Sequence, residues 1–222
     1  MIKYLFSLLI CALIATGCSK SASNASFSPD PRFEIISAEQ WGSQPDSLEG
    51  REHTPQFVTI HHAGTEWITG TDPVDKLTGL QSWGKREKDW PDLPYHYLIA
   101  PDGTIYEGRS VQYEPETNTN FDTTGHLNVH LWGNFEVQRV NKAQLESAAY
   151  ISAYLMDRFD ISLETLGGHK DRAETACPGK DLYRYIEDGT MSEWIEDHLQ
   201  GSSPAITIKD ELPQGPEKFI GT

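Results

Sequence analysis

Phe57-Val58-Thr59-Ile60-His61-His62-Ala63-Gly64-Thr65 is the stretch on which the fold turns. Its β-branched residues predict a short buried strand, and the strand runs into two histidines before a small-residue turn. Polar groups at the carboxyl end of a strand, just outside an α/β sheet, sit where ligands usually bind. Working outward, Tyr95 to Ile99 reads as a second strand, turned at Pro101-Asp102-Gly103 into a hairpin that reaches Tyr106. Leu127 to Trp132 is a third strand. Between them, Asp72-Pro73 opens a helix with a cap and a proline at its first position, and Val74, Leu77, Leu80 and Trp83 follow at helical spacing. Asn141 with Gln144 predicts a capping box. Leu145, Ala148, Ala149, Ser152, Leu155, Met156 and Phe159 then form one apolar stripe, marking the main core helix. Ser192 is placed to cap a last helix through Leu199. Strands alternating with helices predict one α/β domain, a central mixed β-sheet flanked by helices with a cleft at the strand ends.

The chain has 222 residues, 37% of them apolar, enough for one domain with a core of its own. Its formal charge of −15, from 33 acidic against 18 basic residues, repels polyphosphate and excludes general nucleic-acid binding. Three cysteines, Cys11, Cys18 and Cys177, are too few for a disulfide scaffold. The first has a place in an export signal: Lys3 precedes an apolar run from Tyr4 to Ala15 that is too short to span a bilayer. Ala15-Thr16-Gly17-Cys18 resembles a bacterial lipobox, with Ala15 where Leu is usual, which makes Cys18 a lipidation site and the new N-terminus; the alternative is ordinary cleavage near the same place, with Cys18 left as a free thiol. The expected organisation is a signal peptide over 1–17, a Ser/Ala/Asn-rich tether over 18–31, one domain over 32–200 and a flexible tail over 201–222. Ser19 after the lipidated cysteine points to the outer membrane, so an exported, membrane-anchored monomer is expected.

A second cluster, Gly167-Gly168-His169 through Ala176-Cys177-Pro178-Gly179, joins a histidine to the one cysteine outside the signal and anchor. Two imidazoles and a thiolate form a soft three-ligand set that suits Zn²⁺ and leaves a fourth position open, the mark of catalytic zinc. On composition and spacing alone, each histidine reads equally well as a hydrogen-bonded structural residue.

Further motifs carry a family resemblance. Val58 to Thr65 looks like the first metal motif of the zinc N-acetylmuramoyl-L-alanine amidases of the peptidoglycan recognition protein type. Trp90-Pro91-Asp92-Leu93-Pro94-Tyr95-His96-Tyr97-Leu98-Ile99 resembles the family's tyrosine-bearing strand, and Asp102 to Arg109 its following turn. Gly133-Asn134-Phe135 and the cluster from Gly168 to Gly179 complete the family order, and Ile36 to Gly42 is similar to the segment opening the recognition-protein branch. The resemblance implies His61, His169 and Cys177 as ligands of one zinc ion, His61 rather than His62 because the family's ligand directly follows the apolar strand. It makes Tyr95 the catalytic tyrosine and places Thr175 where catalytic relatives carry Lys or Thr. The implied reaction is hydrolysis of the amide between N-acetylmuramic acid and L-alanine, on peptidoglycan or muropeptides. Two other classes are a non-catalytic binding module on the same fold, whose members commonly lack the cysteine, and a thiol enzyme pairing Cys177 with His169.

Period-2 alternation over Gly125 to Trp132 puts His126, Asn128, His130 and Trp132 on one face. Relatives carry small or apolar residues along much of this strand, and some amidases in the wider superfamily have a catalytic Glu near His130. His130 is therefore expected to face the cleft and assist proton transfer or substrate binding, the alternative being a histidine under a loop that donates to backbone. His62, Trp67, Trp90, His96 and Arg172 are candidate substrate contacts, with Lys170 also near enough to meet a carboxylate. Asp171 and Glu174 read as loop solvation.

Overall fold

A computed structural model describes residues 27–46, 50–209 and the backbone of Lys218–Phe219. The proposed signal over 1–17, Cys18 and the tether as far as 26 lie outside the described residues.

The elements follow in chain order. Strand β1 (Ile35–Ile36) leads to a single turn, α1 (Ala38–Trp41), closed by reciprocal Ser37 and Gln40 bonds. Next come β2 (Phe57–His62) and α2 (Pro73–Lys88), which starts as expected with Asp72 accepting from Val74 N–H and Pro73 at its head. Strands β3 (Tyr97–Ile99) and β4 (Ile105–Glu107) form the hairpin, and β5 (His126–Leu131) the third central strand. After β6 (Gln138–Arg139) and α3 (Lys142–Phe159) come β7 (Gly167–Gly168), α4 (Lys180–Glu187), α5 (Thr190–Leu199) and β8 (Lys218–Phe219).

The main sheet runs β1-β4-β3-β5-β2-β7, with β3 and β4 antiparallel and the other pairs parallel. It is the mixed α/β sheet that the alternation of strands and helices implies. In register, Phe57, Thr59 and His61 of β2 lie beside His126, Asn128 and His130 of β5. Side chains alternate, so these six share one face. Leu127, Val129 and Leu131 take the other and are fully buried, and α3 crosses β2, β3 and β5. Tyr97, in register with Val129, feels the charges of Tyr154 and Arg158 on α3, which places that helix on the aliphatic face.

Four expectations change. Asn141 accepts from Gln144 N–H, but the Gln144 amide turns inward to donate to the Trp132 carbonyl at 2.9 Å, so no capping box closes. Satisfying a buried carbonyl outweighs a cap on an end already served. The last helix starts before Ser192, with Gly189 at its cap and Asp188 accepting from Thr190. The tether docks early: Phe27 lies 5.4 Å from the Tyr150 ring, and Phe33 stacks on that ring at 4.2 Å. The tail is not free after Gly201. Ile206 is 5% exposed in the core, and Lys209 N–H donates to the Tyr185 hydroxyl. Ile206 and Ile208 are too short an apolar pair to give a periodic signal after a Ser/Pro turn, yet their packing on the core holds the segment.

Candidate metal centre

His61 reaches the cleft because β2 is flanked by β5 and β7, so its carboxyl end is held rigidly from both sides. His169 follows β7 directly, in a tight turn pinned by Gly168 N–H donating to Asp171 Oδ2 at 2.7 Å. Asp171 also accepts from the Tyr183 hydroxyl at 2.6 Å, so it locks this turn rather than solvating it. Cys177 comes back along the same loop, its carbonyl accepting from Lys170 N–H at 2.8 Å. Its sulfur takes the His62 N–H at 3.3 Å and lies 3.7 Å from His61 Nδ1. The His61 and His169 rings are 4.5 Å apart, and one donor atom from each of the three residues falls within 4.8 Å of the others.

Electrostatics fit a dication. Burial holds His61 well below the ordinary imidazole range, with His169 and His130 pushing the same way and Asn128 opposing. Burial also lowers His169. Both rings are thus neutral, the form that offers a lone pair to a metal. Burial pushes the Cys177 thiol up to about 12, against the His62 N–H that favours the thiolate. A soft dication supplies the positive charge that this buried sulfur lacks. A thiol nucleophile paired with an imidazolium needs the opposite shifts, a lowered thiol and a raised histidine. The direction of these shifts speaks against the thiol-enzyme reading.

The cleft over these donors holds about 230 Å³. Tyr95 lines it with its ring 5.3 Å from His61, its backbone pinned by Arg109 N–H donating to the Tyr95 carbonyl. Gly108 permits that approach, since a Cβ there would collide with the same carbonyl. Burial raises the Tyr95 hydroxyl far above its ordinary value, with Cys177 adding to it, so the group stays a proton donor. Thr175 also lines the cleft, its oxygen accepting Cys177 N–H at 3.1 Å and keeping its own proton free to donate. His62 and Trp90 are in the wall as well, and His62 Nδ1 accepts from Phe135 N–H.

The other candidates lie elsewhere. His130 does not line the cleft: it is 1% exposed under Tyr95, the two rings stacked at 4.2 Å, and neither of its nitrogens takes a hydrogen bond within the described residues. Its neighbour Tyr95 occupies the place from which it would face a substrate. Trp67 packs on Trp132 at 6.2 Å, and its N–H donates to Gln138. His96 is buried between Tyr113 and the backbone of Asn128, as a strut across β3 and β5. Arg172 lies over Phe57 and donates to the Thr165 carbonyl, while Lys170 lies over the Tyr183 ring.

One wall was missed in the sequence. Glu116, Thr117, Asn118 and Thr119 line the cleft, and the Thr119 hydroxyl bonds His169 Nε2 at 2.6 Å. The segment has no periodicity. Its one signal is the unusual length of the connection from β4 to β5, since long structureless connections in compact domains are often functional.

Two imidazoles and a thiol at the strand ends of a mixed sheet define a candidate metal-centre protein of the α/β class. The sequence matches the N-acetylmuramoyl-L-alanine amidase family over residues 51–180, and the chain belongs to that family. It is 28% identical over 163 residues to peptidoglycan-recognition protein SC2 of Drosophila melanogaster, covering 72% of this chain and 87% of that protein. The fold is similar to the crystal structure of Drosophila peptidoglycan recognition protein SD, with a TM-score of 0.62, 25% identity and coverage of 70% and 94%. It is also similar to an N-acetylmuramoyl-L-alanine amidase from Clostridium intestinale, at TM-score 0.57, 23% identity and coverage of 71% and 95%, a likeness of fold alone.

Proposed function

We propose that the protein is a zinc-dependent amidase that hydrolyses the bond between N-acetylmuramic acid and L-alanine in peptidoglycan or its fragments. The observation that carries this reading is the convergence of His61, His169 and Cys177 within 4.8 Å, beside Tyr95. Bound zinc would act as a Lewis acid on the scissile carbonyl and lower the pKa of a coordinated water to about 7. The chain's own groups do the rest. His61 through Nδ1, His169 and Cys177 through sulfur would hold the ion. Tyr95, kept protonated by burial, donates to the oxygen on which charge develops, a contribution of about 3–4 kcal/mol for a donor of that kind. Thr175 offers a second hydroxyl from the opposite loop. The test is mass spectrometry of defined muropeptides incubated with the zinc-loaded protein and with Cys177→Ser. Release of intact stem peptide by the first and not the second is expected, and no release by either ends the amidase reading.

A binding-only role is the second reading, favoured by the recognition proteins among the relatives. It predicts retention of muropeptide without product. We further propose export and lipid anchoring at Cys18. Labelling with a fatty-acid analogue, lost in Cys18→Ser, tests it.

A further inference from the structure

We propose that Glu116 recognises a cationic arm of the substrate, a primary ammonium on the stem peptide. The proposal rests on the amidase reading for the substrate's identity. It starts from the charge of the cleft. Among the described residues lining it, Glu116 is the one side chain outside the donor set that carries a formal charge at neutral pH.

That carboxylate is held in place from behind. Arg109, 3% exposed, donates through Nη1 to the Glu114 carbonyl at 2.9 Å and through Nη2 to Glu116 Oε1 at 3.2 Å. The Glu114 carboxylate in turn accepts from the Thr123 and Thr124 hydroxyls at 3.2 and 3.0 Å and pairs with Arg51. Two buried residues therefore fix the backbone just before a carboxylate whose side chain is 35% exposed. Arg109 orients Glu116 but leaves the cleft side of the group open.

The basic residues that could have met a substrate carboxylate are spent elsewhere. Lys170 sits 4.5 Å from the Tyr183 ring centre, and the Arg172 guanidinium 5.3 Å from that of Phe57. Among the described residues lining the cleft, a peptide arm ending in a carboxylate finds no basic side chain, whereas an ammonium finds a preorganised carboxylate. The overall charge of −15 favours the same choice at longer range.

The experiment uses a muramyl peptide carrying lysine and the same compound acetylated on the lysine amine. Binding is measured by calorimetry on metal-free protein and turnover on zinc-loaded protein, each for wild type and Glu116→Gln. Acetylation is expected to weaken wild-type binding about threefold to fivefold, the worth of one partly screened ion pair. Glu116→Gln is expected to treat the two compounds alike. An acetylation penalty of equal size in both proteins, or none in wild type, overturns the proposal. If the binding contrast holds but neither compound is cleaved, the amidase reading fails and the assignment of Glu116 stands. Cleavage of both compounds without contrast has the reverse meaning.

Discussion

The Thr119 hydroxyl lies 2.6 Å from His169 Nε2, and the Thr117 hydroxyl stands 2.8 Å behind it. This pair ties a loop between β4 and β5 to a donor of the metal centre. A bond at Nε2 engages that nitrogen and leaves Nδ1 as the one that can take a metal, the role that partners of metal-bound histidines commonly play. Thr119→Val keeps the shape and removes the bond. It is expected to lower zinc affinity by roughly 10–100-fold, read by competition with a chromogenic chelator, with Thr119→Ser restoring most of it. Unchanged affinity in the valine variant would show that the contact does not orient the ligand.

Metal removal separates the two chemistries open to Cys177. With its thiol pushed up to about 12 by burial, the metal-free protein should react slowly with iodoacetamide at neutral pH. Chelation is expected to abolish hydrolysis and added Zn²⁺ to restore it. Zinc at a hundred times its dissociation constant should also raise stability by about 2.7 kcal/mol. Activity that survives chelation and dies on alkylation would reverse the assignment.

Tyr95 and His130 act as one stacked unit, and substitutions can tell chemistry from support. Tyr95→Phe removes the donor and leaves the stack, so kcat should fall by about 10²–10³ with zinc affinity unchanged. His130→Phe keeps a ring under Tyr95 and should retain most activity with an unaltered pH profile, while His130→Ala loses the support and should lower kcat. A pH–rate profile that loses one limb in His130→Phe would instead make that histidine a proton carrier.

The sequence shows which residues can do chemistry more clearly than it shows where they point. Phe57 to His62 is legible because β-branched residues and a following small-residue turn leave few alternatives, whereas the donor triplet is legible through the family resemblance of its two clusters, residue type alone leaving each histidine open. His130 was not legible in the same way. Alternation puts it on the correct face, but only the arrival of Tyr95 from the segment leading into β3 decides that a ring covers it. Arg172 and Lys170 share this difficulty, since a nearby aromatic ring drew each away from the cleft. Glu116 and Thr119 lie in an aperiodic Thr/Asn stretch, where function depends on a register set by Glu114 and Arg109 several residues away.

Buried histidines outside the donor set predict a loss of stability in acid. Burial pushes His96 down to about 3, against its bond to the Tyr113 carbonyl, and His126 down to about 4, with Arg172 adding to the effect. Unfolded histidine titrates near 6.5, so below that pH the unfolded chain takes up protons that the folded chain refuses. The stability is therefore complete above about pH 6.5 and is lost as pH falls toward the folded values. Each group should cost about 2 kcal/mol between pH 6.5 and 5. Urea unfolding of the chelated protein at both pH values measures the summed effect of every histidine that burial lowers, and His126→Gln should flatten the slope by one group's share. A stability that does not change over this range would mean that both rings become protonated in the folded state.

The docked C-terminal segment supports the fold from a distance. Ile206 is 5% exposed in the core, Lys209 N–H donates to the Tyr185 hydroxyl at 2.9 Å, and the Lys209 carbonyl accepts from Arg184 at 2.6 Å. Ending the chain at Gly201 exposes the pocket that Ile206 fills and removes these bonds from a region that also holds the buried Asp181–Arg184 pair. Burial of one isoleucine is worth about 1.5–3 kcal/mol, and each neutral bond about 1 kcal/mol. The truncated protein should therefore lose about 3.5–5 kcal/mol in urea unfolding. Ile206→Ala alone should account for about half of that loss. Zinc affinity should not move, because no residue of the described tail lines the cleft. A truncation without effect on stability would mean that the segment contributes nothing to the core, and a change in zinc affinity would mean that α4 carries its influence to Cys177.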